Sequence, residues 1–71
     1  MASFKPKEVV SILIKLGFIK KRQTGSHLMM FHPTSKITIP VPIHRKDIKR
    51  GLILGIIKQA NSTEEEFVKL K

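Results

Sequence analysis

The apolar residues of this chain change period twice, and that change limits the fold more than any other feature. Val9, Val10, Leu13, Ile14 and Leu16 recur at helical spacing. Ile37, Ile39 and Val41 then alternate with Lys36, Thr38 and Pro40, the period of a half-buried strand. Leu52, Ile53, Ile56, Ile57 and Ala60 return to i, i+3 and i+4. Each stripe is one-sided, so strand and helices must cover one another in a layered α+β domain. With 71 residues there is room for one such domain, spanning 1–71, and none for a Rossmann fold or a barrel.

The punctuation between the stripes completes the order. Pro6 suits a first helical position, and Gly17 ends the helix of residues 6–16. Residues 18–23 read as extended, Thr24, Gly25 and Ser26 as a turn, and 27–32 as a second strand. Pro33, Thr34 and Ser35 make the next turn. Pro40 and Pro42 place the third strand at a sheet edge or end it there, because proline donates nothing to a ladder. A basic loop over 42–50 leads to a helix over 50–60, and Ser62 with Glu65 forms a capping box for a last helix carrying Phe67, Val68 and Leu70. The predicted order is α-β-β-β-α-α, a three-stranded antiparallel sheet with its helices on one face. Leu28, Met29, Met30 and Phe31 make the middle strand apolar on both faces. One pair must therefore point away from the helices, covered by the terminal helix, by lysine stems of the first strand, or by a protein partner.

No cysteine is present, so neither disulfides nor a thiolate zinc site can hold so small a domain. Stability must come from the 41% of residues that are hydrophobic. The opening MASFKPKE has no signal-like apolar stretch and the apolar runs are too short to cross a bilayer, which predicts a soluble, cytoplasmic protein without a membrane partner. Lysine and arginine number 14 against 5 acids, a formal charge of +9. Three of those acids are Glu64, Glu65 and Glu66, which leaves only Glu8 and Asp47 among the basic remainder. The cations cluster as Lys20, Lys21, Arg22 and as Arg45, Lys46, Lys49, Arg50. A polyanion relieves the self-repulsion that such a balance creates.

Chemistry has few carriers here. His27 and His32 lie five apart on one strand, so they face opposite ways and do not share a metal. Glu8 and Asp47 are isolated, and no carboxylate pair or Ser-His-Asp arrangement can be assembled. What a basic domain with free histidines can do, without a metal or other cofactor, is help RNA cut itself. One imidazole takes the proton of a 2′-hydroxyl, a second group protonates the departing 5′-oxygen, and cations neutralise the phosphate.

The stretch Arg22 to Pro33, RQTGSHLMMFHP, resembles the HicA (YcfA-like) family of toxins, in which a Gly-Ser-His turn precedes a strand ending in His-Pro. Further blocks follow in order: Lys7-Glu8-Val9, Leu16-Gly17-Phe18, Ile39-Pro40-Val41-Pro42 with His44, and residues 56–66. The resemblance implies a fold like that of double-stranded RNA-binding domains and a toxin of a type II toxin–antitoxin system. It also implies a metal-independent endoribonuclease, or mRNA interferase, and a HicB-type antitoxin as partner. It maps the family's catalytic histidine onto His27, with Gly25 and Ser26 shaping its turn. Ser26, Lys20, Lys21, Arg22, Lys46, Lys49 and Arg50 are the expected RNA contacts, and His44 is a further contact or the second acid. His32 is expected to be structural. Messenger RNA in single-stranded form is the expected substrate, since unpaired nucleotides can reach in-line geometry. The alternative is a non-catalytic double-stranded RNA-binding module of the same fold. The chain departs from the family at Gly51-Leu52-Ile53-Leu54-Gly55, where Gly-Thr-Leu followed by Arg is usual, and at Asn61, where Gly is usual; Asn can still take the left-handed conformation there.

Overall fold

A computed structural model of the chain describes residues 3–44 and 46–71. Helix α1 spans Pro6–Lys15, strands β1, β2 and β3 span Ile19–Thr24, His27–Phe31 and Thr38–Pro42, and helices α2 and α3 span Arg50–Gln59 and Glu64–Leu70. The strands form an antiparallel sheet in the order β1-β2-β3. This is the α+β arrangement that the alternating periods predict, and it matches the double-stranded RNA-binding-domain fold that the family resemblance implies.

Each helix buries a single stripe. Val9, Ile12 and Leu13 of α1, Ile53, Ile56 and Ile57 of α2, and Phe67 of α3 meet Met30, Ile39 and Val41 of the sheet. Pro6 occupies the first turn of α1, where its missing N–H leaves no bond unmade, and the Lys5 N–H donates to Glu8 Oε1 at 2.8 Å. Three expected core residues lie outside: Ile14 is exposed on the far side of α1, Leu52 is 42% exposed near the start of α2, and Val68 of α3 is exposed beside the buried Phe67. A helix stripe as narrow as these admits the i, i+3, i+4 positions and turns their neighbours to water.

The sequence pattern gave no role to Phe4 or Ile48. Both are buried, joined by an Ile48 N–H to Phe4 carbonyl bond of 2.8 Å, and Phe4 meets Phe67 edge-on with ring centroids 6.0 Å apart. The basic loop is therefore anchored to the core at Ile48 rather than solvated throughout.

One cap moves by a residue. The side-chain oxygen of Thr63, not Ser62, accepts the Glu66 N–H at 3.1 Å, and Ser62 instead donates its hydroxyl to the Glu66 carboxylate. Ser62-x-x-Glu65 and Thr63-x-x-Glu66 both fit a capping box. The need to turn Phe67 inward selects the second. Asn61 takes φ of 56°, the left-handed conformation expected where the family usually has glycine.

The parity of β2 is also decided. Met30 is completely buried and Leu28 packs against the core, so Met29 and Phe31 face away from the helices. Of the possible covers, a first-strand lysine is the one found: the Lys21 ammonium lies 4.9 Å from the centre of the Phe31 ring.

Candidate active site

The loop between β1 and β2 contains only Gly25 and Ser26, with Thr24 and His27 paired across it. Gly25 has φ of 60°, while Ser26 does not share a positive φ, the pattern of a tight hairpin turn that wants glycine at its first position. A Cβ at Gly25 would meet nothing within 4 Å, so conformation alone calls for glycine there. The Ser26 carbonyl accepts the Ile43 N–H at 2.9 Å, extending the β2–β3 ladder past Pro42 and fixing where the following residue, His44, begins. As a result Ser26, His27, Pro42, His44 and Leu52 line one open cleft of about 300 Å³ at the start of α2. Both imidazoles are exposed, and among the described residues no carboxylate lines the cleft.

His32 lies at the opposite end of β2 in different surroundings. Its ring meets Phe18 edge-on with centroids 5.0 Å apart, and its Nδ1 accepts the Ser35 N–H at 3.2 Å. Gly17, with φ of 99°, passes so close that a Cβ there would stand 2.8 Å from His32 Nε2. His32 thus secures the turn after β2, as expected, and the Leu16-Gly17-Phe18 block is the surface it packs on. Among the described residues no three His, Asp or Glu side chains gather in a way that could hold a metal.

The basic residues divide. A bulge at Lys21, between the Lys20–Met30 and Arg22–Met29 pairs, sets Lys20 on the helix face and Arg22 on the open face. Lys20 lies beside Lys7, Val10 and Leu28 in a groove along α1, so residues 20–22 are not one patch. Lys46 and Lys49 are exposed on the loop that follows the cleft, and Arg45 lies outside the described residues. Arg50 is engaged within the fold: its two terminal nitrogens bind both oxygens of Glu64 at 2.8 and 2.9 Å. That bidentate bond holds the Glu64 carboxyl below the usual carboxylate range, with desolvation opposing, and raises Arg50 further. The pair ties the first turn of α2, and with it the Leu52 wall of the cleft, to α3. Sequence spacing could not have revealed Pro42 and Leu52 as cleft walls, since both follow from how α2 packs at the end of β3.

Fold and site together define a class: small basic α+β domains with the fold of double-stranded RNA-binding domains, here with an exposed histidine presented on a glycine turn. The family model described as "HicA toxin of bacterial toxin-antitoxin" matches residues 6–61. The chain belongs to that family, which makes it a toxin of a toxin–antitoxin system and implies an antitoxin partner. No curated protein matches the chain at a significant level. No helix among the described residues is long and apolar enough to cross a membrane.

Proposed function

We propose that this toxin is an endoribonuclease that cuts messenger RNA in the cleft formed by Ser26, His27 and His44. The observation that carries this reading is the convergence of two exposed imidazoles on one open, carboxylate-free cleft beside the lysines of the following loop. His27 takes the proton of a ribose 2′-hydroxyl, and the 2′-oxygen attacks the adjacent phosphorus. The bond to the 5′-oxygen breaks as His44 donates a proton to it, leaving a 2′,3′-cyclic phosphate and a 5′-hydroxyl. Gly25 and Ser26 present His27, while Lys46 and Lys49 neutralise the phosphate charge. Arg22 and Lys21 extend the contact along the sheet. Arg50 contributes indirectly, because its guanidinium is already held by Glu64.

Unpaired RNA suits the cleft better than duplex, since the attacking and leaving oxygens must come into line. The toxin then acts in the cytoplasm, and a HicB-type antitoxin would silence it by occupying the cleft. The test is to incubate end-labelled RNA with the protein in chelator, comparing wild type with His27→Ala. Products ending in 2′,3′-cyclic phosphate from the wild type alone are expected. Uncut RNA in both samples, with binding retained, would instead assign the protein as a non-catalytic double-stranded RNA-binding module.

A further inference from the structure

The helices cover one face of the sheet and leave the other open. On that open face, alternation sets His27, Met29 and Phe31 in one row along β2. Arg22 stands opposite Met29. Phe31 is half-buried and carries two cations: Lys21 Nζ at 4.9 Å from its ring centre and Lys36 Nζ at 6.0 Å. Both lysines reach it from irregular backbone. Lys21 is the extra residue of the β1 bulge, and Lys36 has φ of 65°, a left-handed conformation that a residue with a side chain seldom takes. None of the acids falls within the three strands.

An aromatic ring overlain by lysine side chains on an acid-free sheet answers the two needs of an unpaired nucleotide: a base displaces the ammonium groups from the ring, and they move to its phosphates. An apolar protein surface would have to strip water from Lys21, Arg22 and Lys36 to reach the same ring, which disfavours it. The row also leads to the cleft, because His27 and Phe31 stand about 13 Å apart along β2, a span that a few extended nucleotides cover.

We propose that Phe31, with Lys21 and Lys36, is a stacking platform for an unpaired base of the RNA strand that runs along β2 from the His27 cleft. The proposal rests on the ribonuclease reading and adds to it where the strand lies beyond the scissile bond. It makes affinity depend on a base at one position and on the ring beneath it.

The probe is a 2′-O-methyl oligoribonucleotide, which lacks the attacking hydroxyl and so reports binding without cleavage. Its bases are removed one at a time in an abasic series. Wild type should lose about tenfold in affinity at one abasic position, the size of a lost base–aromatic stack. Phe31→Leu should lose about as much on the intact oligomer and nothing further at that position, while Phe31→Tyr keeps wild-type affinity. Equal affinity of wild type and Phe31→Leu for the intact oligomer overturns the platform, and leaves the ribonuclease reading standing if ordinary RNA is still cut. A Phe31→Leu protein that binds RNA normally but escapes neutralisation by its antitoxin assigns the face to protein and equally overturns the proposal. A folded wild type that neither binds the oligomer nor cuts RNA removes both readings together.

Discussion

One histidine opens β2 and another directly follows its last residue, and they differ in nearly everything else. At one end His27 follows a two-residue turn, is exposed, and shares an open cleft with His44. At the other, His32 is packed against Phe18, accepts a backbone hydrogen bond and is approached closely by Gly17. One imidazole is thus open to solvent, and the other has its ring packed into the fold. The same side chain, five residues further along the chain and just past the end of β2, becomes a structural part because an odd offset turns it to the opposite face.

The sharpest way to break this contrast is to remove each ring in turn. His27→Ala should reduce RNA cleavage by about 10²–10⁴-fold, the range of a lost general acid or base, while thermal unfolding stays within about 0.5 kcal/mol of wild type. His32→Ala should do the reverse, keeping cleavage per folded molecule but costing about 1–2 kcal/mol by urea unfolding, from the aromatic contact and the Ser35 bond. If His32→Ala abolished cleavage in a fully folded protein, the contrast would collapse.

His44 tests the open end more finely. His44→Ala should slow cleavage of ordinary RNA by about 10²-fold, and most of that loss should vanish on a substrate whose leaving 5′-oxygen is replaced by sulfur, which departs without a proton. His27→Ala should remain slow on both substrates. A His44→Ala defect of equal size on the two would make His44 an RNA contact rather than an acid.

Gly17 tests the closed end. Gly17→Ala combines a strained φ with a Cβ pressed on the His32 ring and should destabilise by about 1–3 kcal/mol. Part of that loss should disappear in Gly17→Ala/His32→Ala, because the second change removes the atom that clashes. Full additivity in urea titrations would mean that backbone conformation alone is at fault.

The smallest expected effect concerns pH. The folded Glu64 carboxyl lies below its unfolded value, so its pairing with Arg50 stabilises the protein above the unfolded carboxyl range. That contribution fades as pH falls through the folded value. Between about pH 6 and about pH 3, wild type should therefore lose slightly more thermal stability than Glu64→Gln. Amide exchange should rise first in the opening turn of α2, at the cleft end of β2, and not around His32. Identical pH profiles would show that the pair contributes nothing.

The order of elements was legible because it depends on local spacing. Alternation over residues 37–41 and the stripes of α1 and α2 need no knowledge of partners. The same logic foresaw that His27 and His32 face apart. What stayed hidden was pairing at a distance. Arg50 looks like one more cation of a basic loop until the packing of α3 brings Glu64 onto it. Leu52 looks like core until α2 is docked and turns it into the cleft. The parity of β2 was open in the sequence because four consecutive apolar residues erase the alternation, and only the helices decide that Met30 goes inward. Residues 20–22 read as one basic patch because a bulge, which splits them between faces, has no spacing of its own. The shift from Ser62 to Thr63 at the last cap shows the same limit on a smaller scale, since two overlapping motifs were settled by where Phe67 had to go.

The prolines of β3 have a consequence for how this molecule behaves in a crowd. An outer strand with bare amides invites a neighbour to add on and so begin a filament. Pro40 and Pro42 withhold donors along one border of the sheet, and at the other border β1 offers a kinked ribbon of mutually repelling cations. With donors withheld on one flank and like charges set along the other, addition of a further strand is disfavoured at both borders of the sheet.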